Sequence, residues 1–207
     1  MLLKMGENEM DWELIKLTFK ELLKAFGIPI EDQSMPKKLK FESFDETVHL
    51  TDNDRTKLKE LHPLVAHKIK KTLIQAKKEG LNVGLHMGLR SFEYQAQLYA
   101  KGRNKAGKVI DKKKVVTNAK AGRSWHNYGL AGDIVFKTKQ NRWSWSTTFK
   151  WARLGKIGES YGLTWGGYWT QPVDTPHFQY HKGLPSINEA QALQKQNGLN
   201  AVWERII

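Results

Sequence analysis

The 207-residue chain predicts an α+β fold, and three observations carry that expectation. Helical periods and short alternating or β-branched runs follow one another without βαβ regularity. Hydrophobic residues make up 40% of the chain and include eight tryptophans, enough for a real core and against wholesale disorder. No apolar run approaches the roughly 20 residues of a membrane span.

Each element has its own signal. Trp12, Ile15, Phe19, Leu22, Leu23 and Phe26 keep a 3.6-residue period that Gly27, Ile28 and Pro29 end, predicting a helix over 11–26. Residues 29–47 mix prolines, a lysine pair and acids, and are expected to form a linker. Residues 51–79 read as helix, broken near His62-Pro63 because proline disfavours helix at the residue before it; Gly80 closes it. A strand is expected over 81–87, ending at Gly88, and a short helix over 91–102. Residues 104–124, rich in Lys, Gly and Asn, predict a long solvated loop with one hairpin. Residues 130–136 read as a strand, 145–162 as a helix closing at Gly162, and 175–181 as a final strand. Trp143 and Trp145 alternate around Ser144 as at a hairpin edge. Ser186 and Glu189 are spaced as a capping box for a helix that should stop at Asn197-Gly198.

These elements divide the chain into an extension over 1–46, a body over 47–183, and a helical tail over 184–207 that packs on the body. Charge follows the same division. Residues 1–50 carry 7 basic and 10 acidic side chains, and residues 51–207 carry 27 and 11, so a −3 segment precedes a +16 body. Such a body suits a polyanionic partner: nucleic acid, an anionic cell surface or an acidic polymer. With no cysteine, a disulfide framework, a thiolate zinc finger, an iron–sulfur cluster and a cysteine nucleophile are excluded. The first residues lack the basic-then-apolar layout of a signal peptide.

Two of the seven histidines stand in informative strings, His126 in SWHNYGLAGD and His177 in DTPHFQ. On a helix, His126 and Asp133 would be about 10 Å apart, too far to share an ion. If the chain turns near Tyr128-Gly129 and returns as a strand, they can meet. One more histidine completes a three-ligand zinc site with a fourth position for water. His177 and His181 are four apart, about 13 Å along a strand, so only one can join. Asp174, three before His177, favours His177 because it could handle protons, and leaves His181 as a surface residue.

The segment Ser124–Asp133 resembles the SxHxxGxAxD signature of zinc D,D-carboxypeptidases and L-alanyl-D-glutamate endopeptidases, and Asp174–Gln179 resembles their second signature. Gly88-Leu89-Arg90-Ser91 with Gln95, Leu98-Tyr99 and Gly102-Arg103, and then Trp165-Gly166-Gly167, are similar to further family segments. The resemblance spans about residues 47–183 and is nearest to phage endolysins and bacterial cell-wall lytic peptidases. Tyr168 stands where an acidic residue often follows Trp-Gly-Gly, and the loop around IDKKK is longer. Asp174 in place of Glu matches the endopeptidase side of the family.

The resemblance implies a small antiparallel sheet with helices against it and a catalytic zinc on the sheet face. It implies His126, Asp133 and His177 as Zn2+ ligands, Asp174 as general base and then acid, and Arg90 at the developing oxyanion. Ser124, Gln95, Trp165 and Trp169 would contact substrate or support the site. The implied activity is zinc-dependent cleavage of peptidoglycan stem peptides at L-Ala–D-Glu by a bacteriolytic metallopeptidase. As an endolysin it would stay in the host cytoplasm until release and then act at the cell wall. The alternatives are a D,D-carboxypeptidase, a basic nucleic-acid module, which lacks any recognition signature, and a non-catalytic wall-binding protein. No nucleic-acid partner and no membrane span are expected, and a monomer is favoured.

Overall fold

A computed structural model of the chain describes residues 50–170 and 172–207. The helix expected over 11–26, the linker and the 1–46 extension lie outside the described residues. Among those described, an all-antiparallel sheet is flanked by helices in an α+β arrangement.

The break at Pro63 divides the first helical stretch into α1 (Asp52–Lys59) and α2 (Pro63–Lys78). Pro63 sits at the first helical position, where its missing N–H costs nothing, and His62 Nδ1 accepts from Leu64 N–H as the cap. Val65, Ile69, Thr72, Leu73 and Ala76 form the buried stripe of α2. Strand β1 (Val83–Met87) follows, and α3 (Phe92–Ala100) is capped by Ser91, whose hydroxyl accepts from Tyr94 N–H. Residues 101–124 form a loop with one antiparallel bridge, Arg103 to Val109, and a 3-10 turn at Lys112–Lys114. A second 3-10 turn at Trp125–Tyr128 leads into β2 (Ala131–Lys137). Then come β3 (Trp143–Ser144), α4 (Trp151–Ser160), β4 (Thr164–Trp165), β5 (His177–Gln179) and α5 (Ile187–Trp203).

The sheet runs β1-β2-β5-β4, and β3 also pairs with β2. Leu85, Ile134 and Phe178 enter the core from successive strands, alongside Ile69, Leu73, Leu130 and Leu154. Side chains alternate along a strand, so His86, Asp133, His177 and Gln179 are available to the opposite face. Gly155 and Gly158 let α4 lie close to the sheet. A Cβ on either would come within 2.3 Å of the Trp165 or Phe178 ring.

Two boundaries differ from expectation. The helix expected from residue 145 begins at Trp151. Ser146 and Thr148 bond each other and their own backbone instead, a local alternative that competes with helix. The final helix continues past Gly198, whose φ of +80° breaks its regularity, because Val202 and Trp203 beyond it have core to bury. Of the expected core tryptophans, Trp151 is buried and Trp203 packs half-buried against the core; Trp12 lies outside the described residues.

β1 is an edge strand, and α1 covers it. Buried Asp54 accepts from Leu85 N–H (2.7 Å), Thr51 N–H (3.1 Å) and Lys77 Nζ (3.2 Å). Asn53 and Lys57 donate to the Leu85 carbonyl, so this edge offers little to another chain. Burial alone would raise the Asp54 pKa, but the hydrogen bonds from Leu85 and Thr51 and the charge of Lys77 bring it below its ordinary 3.8. A depressed folded-state pKa gives stability that is present above the unfolded value and lost as pH falls through the folded one. Asp54→Ala is therefore expected to cost about 2 kcal/mol in urea denaturation at neutral pH. The gap from wild type should narrow as the pH falls below 3.8.

Candidate active site

The seven-residue interval from His126 to Asp133 contains a reversal. The 3-10 turn ends at Gly129, left-handed at φ +65°, and the chain returns as β2. Asn127 holds the turn from beneath, donating to the Arg90 carbonyl (2.9 Å) and accepting from Gly122 N–H (3.0 Å). Tyr128 is fully buried and its hydroxyl donates to the Gly122 carbonyl. Trp203 of α5 donates its indole N–H to the Tyr128 carbonyl at 2.8 Å, so the C-terminal helix braces the same turn.

Asp133 pairs with Met87 on one side and His177 on the other. His126 Nε2 lies 3.1 Å from Asp133 Oδ1, and His177 Nδ1 lies 3.4 Å from the same oxygen. The two imidazole nitrogens are 3.2 Å apart. Each ring has its outer nitrogen at an acceptor: His126 Nδ1 is 2.8 Å from the Gly88 carbonyl, and His177 Nε2 is 3.0 Å from Gln179 Oε1. With outer N–H groups donating there, both inner lone pairs point at each other and at a carboxylate. That donor set suits a cation, and the outer contacts are of the kind that orient metal-binding histidines. Among the described residues, His126, Asp133 and His177 are the group able to hold a metal ion, with ligand atoms within 4.8 Å of one another.

Two carboxylates face this centre in opposite electrostatic states. Burial raises the Asp133 pKa, yet His126 and His177 more than offset that and hold it well below the ordinary range. Asp174 is pushed up, first by burial and then by repulsion from Asp133, with His177, His126 and Arg90 opposing. For His177, burial favours the neutral ring, but hydrogen bonding and attraction to Asp133 carry its pKa above 6.5.

Arg90 donates to Gln95 Oε1 (2.8 Å) and Asp133 Oδ2 (3.2 Å). Gln95 is fully buried and donates in turn to the Ala119 carbonyl at 2.7 Å, tying Arg90 to the long loop. A cavity of about 1070 Å³ opens over the centre, and its lining includes Arg90, Ser124, Trp169, Asp174 and the three clustered residues. Trp169 tilts against His177 with ring centroids 5.0 Å apart. Trp165, expected to contact substrate or support the site, is buried and turns its indole N–H to the Thr175 carbonyl (2.7 Å), beneath the cavity and not along it. His181 lies beyond β5, stacked on Trp125 at 4.1 Å, outside the cluster.

Some contributors went unnoticed in the sequence. Gln179 was readable in principle, since two residues along a strand share a face with His177. The Gly88 carbonyl, a backbone atom, had no side-chain signal. Asn127 and Tyr128 lay inside the signature, but their partners are set by tertiary contacts.

A comparison with known families matches residues 117–180 to the peptidase M15 group described as D-alanyl-D-alanine carboxypeptidase. Over 128 residues the chain is 33% identical to the peptidoglycan L-alanyl-D-glutamate endopeptidase CwlK of Bacillus subtilis (strain 168), covering 58% of this chain and 73% of that protein. The chain belongs to the peptidase M15 family. Among solved structures it is similar to the L-Ala D-Glu endopeptidase ChiX of Serratia marcescens, with TM-score 0.47 and 24% identity over 65% of this chain and 90% of that one. It is also similar to a mutant of the vancomycin resistance D,D-pentapeptidase VanY in complex with Zn(II), with TM-score 0.43 and 18% identity over 67% of this chain and 80% of that one. As an M15 member the chain is a metallopeptidase.

The Trp-Gly-Gly string has a steric basis in this M15 fold. A Cβ on Gly167 would come within 2.1 Å of the Trp165 ring, and one on Gly166 within 2.6 Å of the Asp174 carbonyl oxygen. Asp174 N–H donates to the Gly166 carbonyl at 3.0 Å, so this close approach fixes the Asp174 backbone against Gly166. Gly166→Ala is expected to lower stability by about 1–3 kcal/mol through overpacking, measured by thermal denaturation. Peptidase activity should fall further than the loss of folded protein explains.

Proposed function

We propose that the chain is a zinc-dependent, bacteriolytic peptidoglycan hydrolase of the endolysin type, cutting the stem peptide at the L-Ala–D-Glu bond at the bacterial cell wall. The observation that carries this reading is the convergence of His126 Nε2, Asp133 Oδ1 and His177 Nδ1 in a cavity that Asp174 also lines. The similarity to CwlK, named for that bond, supports the choice of substrate. The body over 47–183 would carry the catalysis, with the 184–207 tail packed on it. No helix of the described residues is long and apolar enough to cross a membrane.

His126, Asp133 and His177 would hold the ion. A bound zinc would supply Lewis acidity and bring the pKa of a water molecule down to near neutrality. Asp174, made more basic than an ordinary carboxylate by burial and by Asp133, accepts a proton as water adds to the amide carbonyl. It then returns that proton to the leaving amine. Arg90 has donors left after serving Gln95 and Asp133, and offers them to the carbonyl oxygen as charge develops. Ser124 and Trp169 border the same space and contact the peptide.

The family description favours a second reading, carboxypeptidase action on a D-Ala–D-Ala terminus. Digestion of defined muropeptides followed by mass spectrometry separates the two, because only the endopeptidase creates a new N-terminal D-Glu. The mechanism predicts about one zinc per chain by elemental analysis and chelator-sensitive hydrolysis. Asp174→Asn should keep the zinc and lose roughly 10²–10⁴-fold in turnover, whereas His177→Ala should lose the metal. Wild-type turnover in Asp174→Asn would refute the assigned role.

A further inference from the structure

The cavity has chemically different ends, and strand register sets the axis between them. Asp133 stands opposite Met87, whereas Lys137, four residues further along β2, stands opposite Trp143. That is about 13 Å of strand. His86 bridges part of the interval. Its ring lies 5.1 Å from Trp143 and 5.2 Å from Trp145, at 66° and 86° to them. Its buried Nδ1 has no hydrogen-bond partner among the described residues, so ring packing is what places it there. Trp143 is half-buried and covered by Lys137 Nζ at 4.5 Å. Trp145 is 54% exposed and lines the cavity together with His86. The other end lies beyond the end of β1 and before the start of β2. Arg123, just before the turn into β2, lines the cavity, as does Lys101 of the same loop.

We propose that Trp145, backed by His86 and Trp143, is a platform for the sugar ring that bears the stem peptide. The inference rests on the L-Ala–D-Glu reading. In that substrate the amino group of L-Ala is acylated by the lactyl group of N-acetylmuramic acid. An uncharged pyranose therefore lies one residue from the scissile bond on the amino side. On the carboxyl side lie the free carboxylates of D-Glu and the residues after it. A substrate with a sugar at one end and carboxylates at the other can set its sugar on the exposed Trp145 indole and its carboxylates by the loop cations Lys101 and Arg123, which line the same cavity. The apolar C–H face of a pyranose and the face of an indole are complementary, and a large exposed ring beside a catalytic centre gains most by such a contact. The orientation follows: the amino side of the substrate runs toward β3, and the carboxyl side toward Arg123.

The test compares two substrates, an N-acetylmuramoyl-tetrapeptide and the same tetrapeptide freed of its sugar by an amidase. Wild type should cut the sugar-bearing substrate with the higher kcat/KM. Trp145→Ala should lower kcat/KM on that substrate by roughly three- to tenfold, the range of one aromatic contact, and leave the sugar-free peptide unchanged. Trp145→Phe should restore part of the loss. Equal loss on both substrates, or no loss on either, overturns the platform while the peptidase reading stands. Failure of wild-type protein to release N-terminal D-Glu from either substrate overturns that reading and the platform with it.

Discussion

Gly129 turns the chain back on itself, and the centre exists because it does. Its left-handed φ of +65° would cost any other L-residue about 1–2 kcal/mol. The space is closed too, since a Cβ would sit 3.2 Å from both the Glu60 carbonyl and the Trp203 ring. Three distant segments converge on this turn. Its carbonyl accepts from His62 N–H at the start of α2, Arg90 N–H donates to the His126 carbonyl, and Trp203 donates to the Tyr128 carbonyl. The reversal therefore draws the helix pair, the Arg90 segment and the C-terminal helix to the point where His126 must meet Asp133. Helix α5, far from the cavity in sequence, acts on it through that brace.

A second constraint is the division of labour between Asp133 and Asp174. Both are carboxylates near the same pair of imidazoles, yet they are pushed in opposite directions. Asp133 accepts from Arg90 and lies against both imidazoles, and its pKa is held low. Asp174 is half-buried beside that negative charge, and its pKa is raised. Two titratable groups separated in this way are what acid–base chemistry at one centre needs. A bound cation would move both values down. The asymmetry would remain, because Asp133 would hold the cation directly and also accepts from Arg90.

Much of this was legible in the sequence, for identifiable reasons. The α+β class came from periodicity, and the break at His62-Pro63 came from the steric effect of proline on its predecessor. The strand over 130–136 came from alternation, and a turn near Tyr128-Gly129 was the condition under which His126 and Asp133 could meet. Other features were not legible. Residues 145–150 were expected to open the helix, but Ser146 and Thr148 satisfy one another locally. The run beyond Gly198 is rescued by burial of Val202, a tertiary gain that no local rule contains. Trp165 and Trp169 flank the same string, yet one lies under the cavity and the other beside it. Only the packing of Trp165 against Gly155 and Gly167 separates them. The capping box at Thr51 and Asp54 was also missed, because Asp54 does double duty as a partner of β1.

The net charge is where sequence and site inform each other most. Residues 101–124 carry nine basic side chains against one acidic one, half of the excess of the whole 51–207 body. Two of those basic residues, Lys101 and Arg123, line the cavity, so part of the charge is a local field at its rim, within about one Debye length of what enters. The floor has the opposite character, with Asp133 and Asp174 partly buried around two histidines. A polyphosphate would find cations at the rim and carboxylates at the floor, and the second would oppose its entry. An acidic peptide has its charges on carboxylates set apart from its backbone amides. On the proposed reading, the rim would hold those carboxylates while a neutral amide descends to the floor, the part of the substrate that Asp174 and Arg90 would act upon.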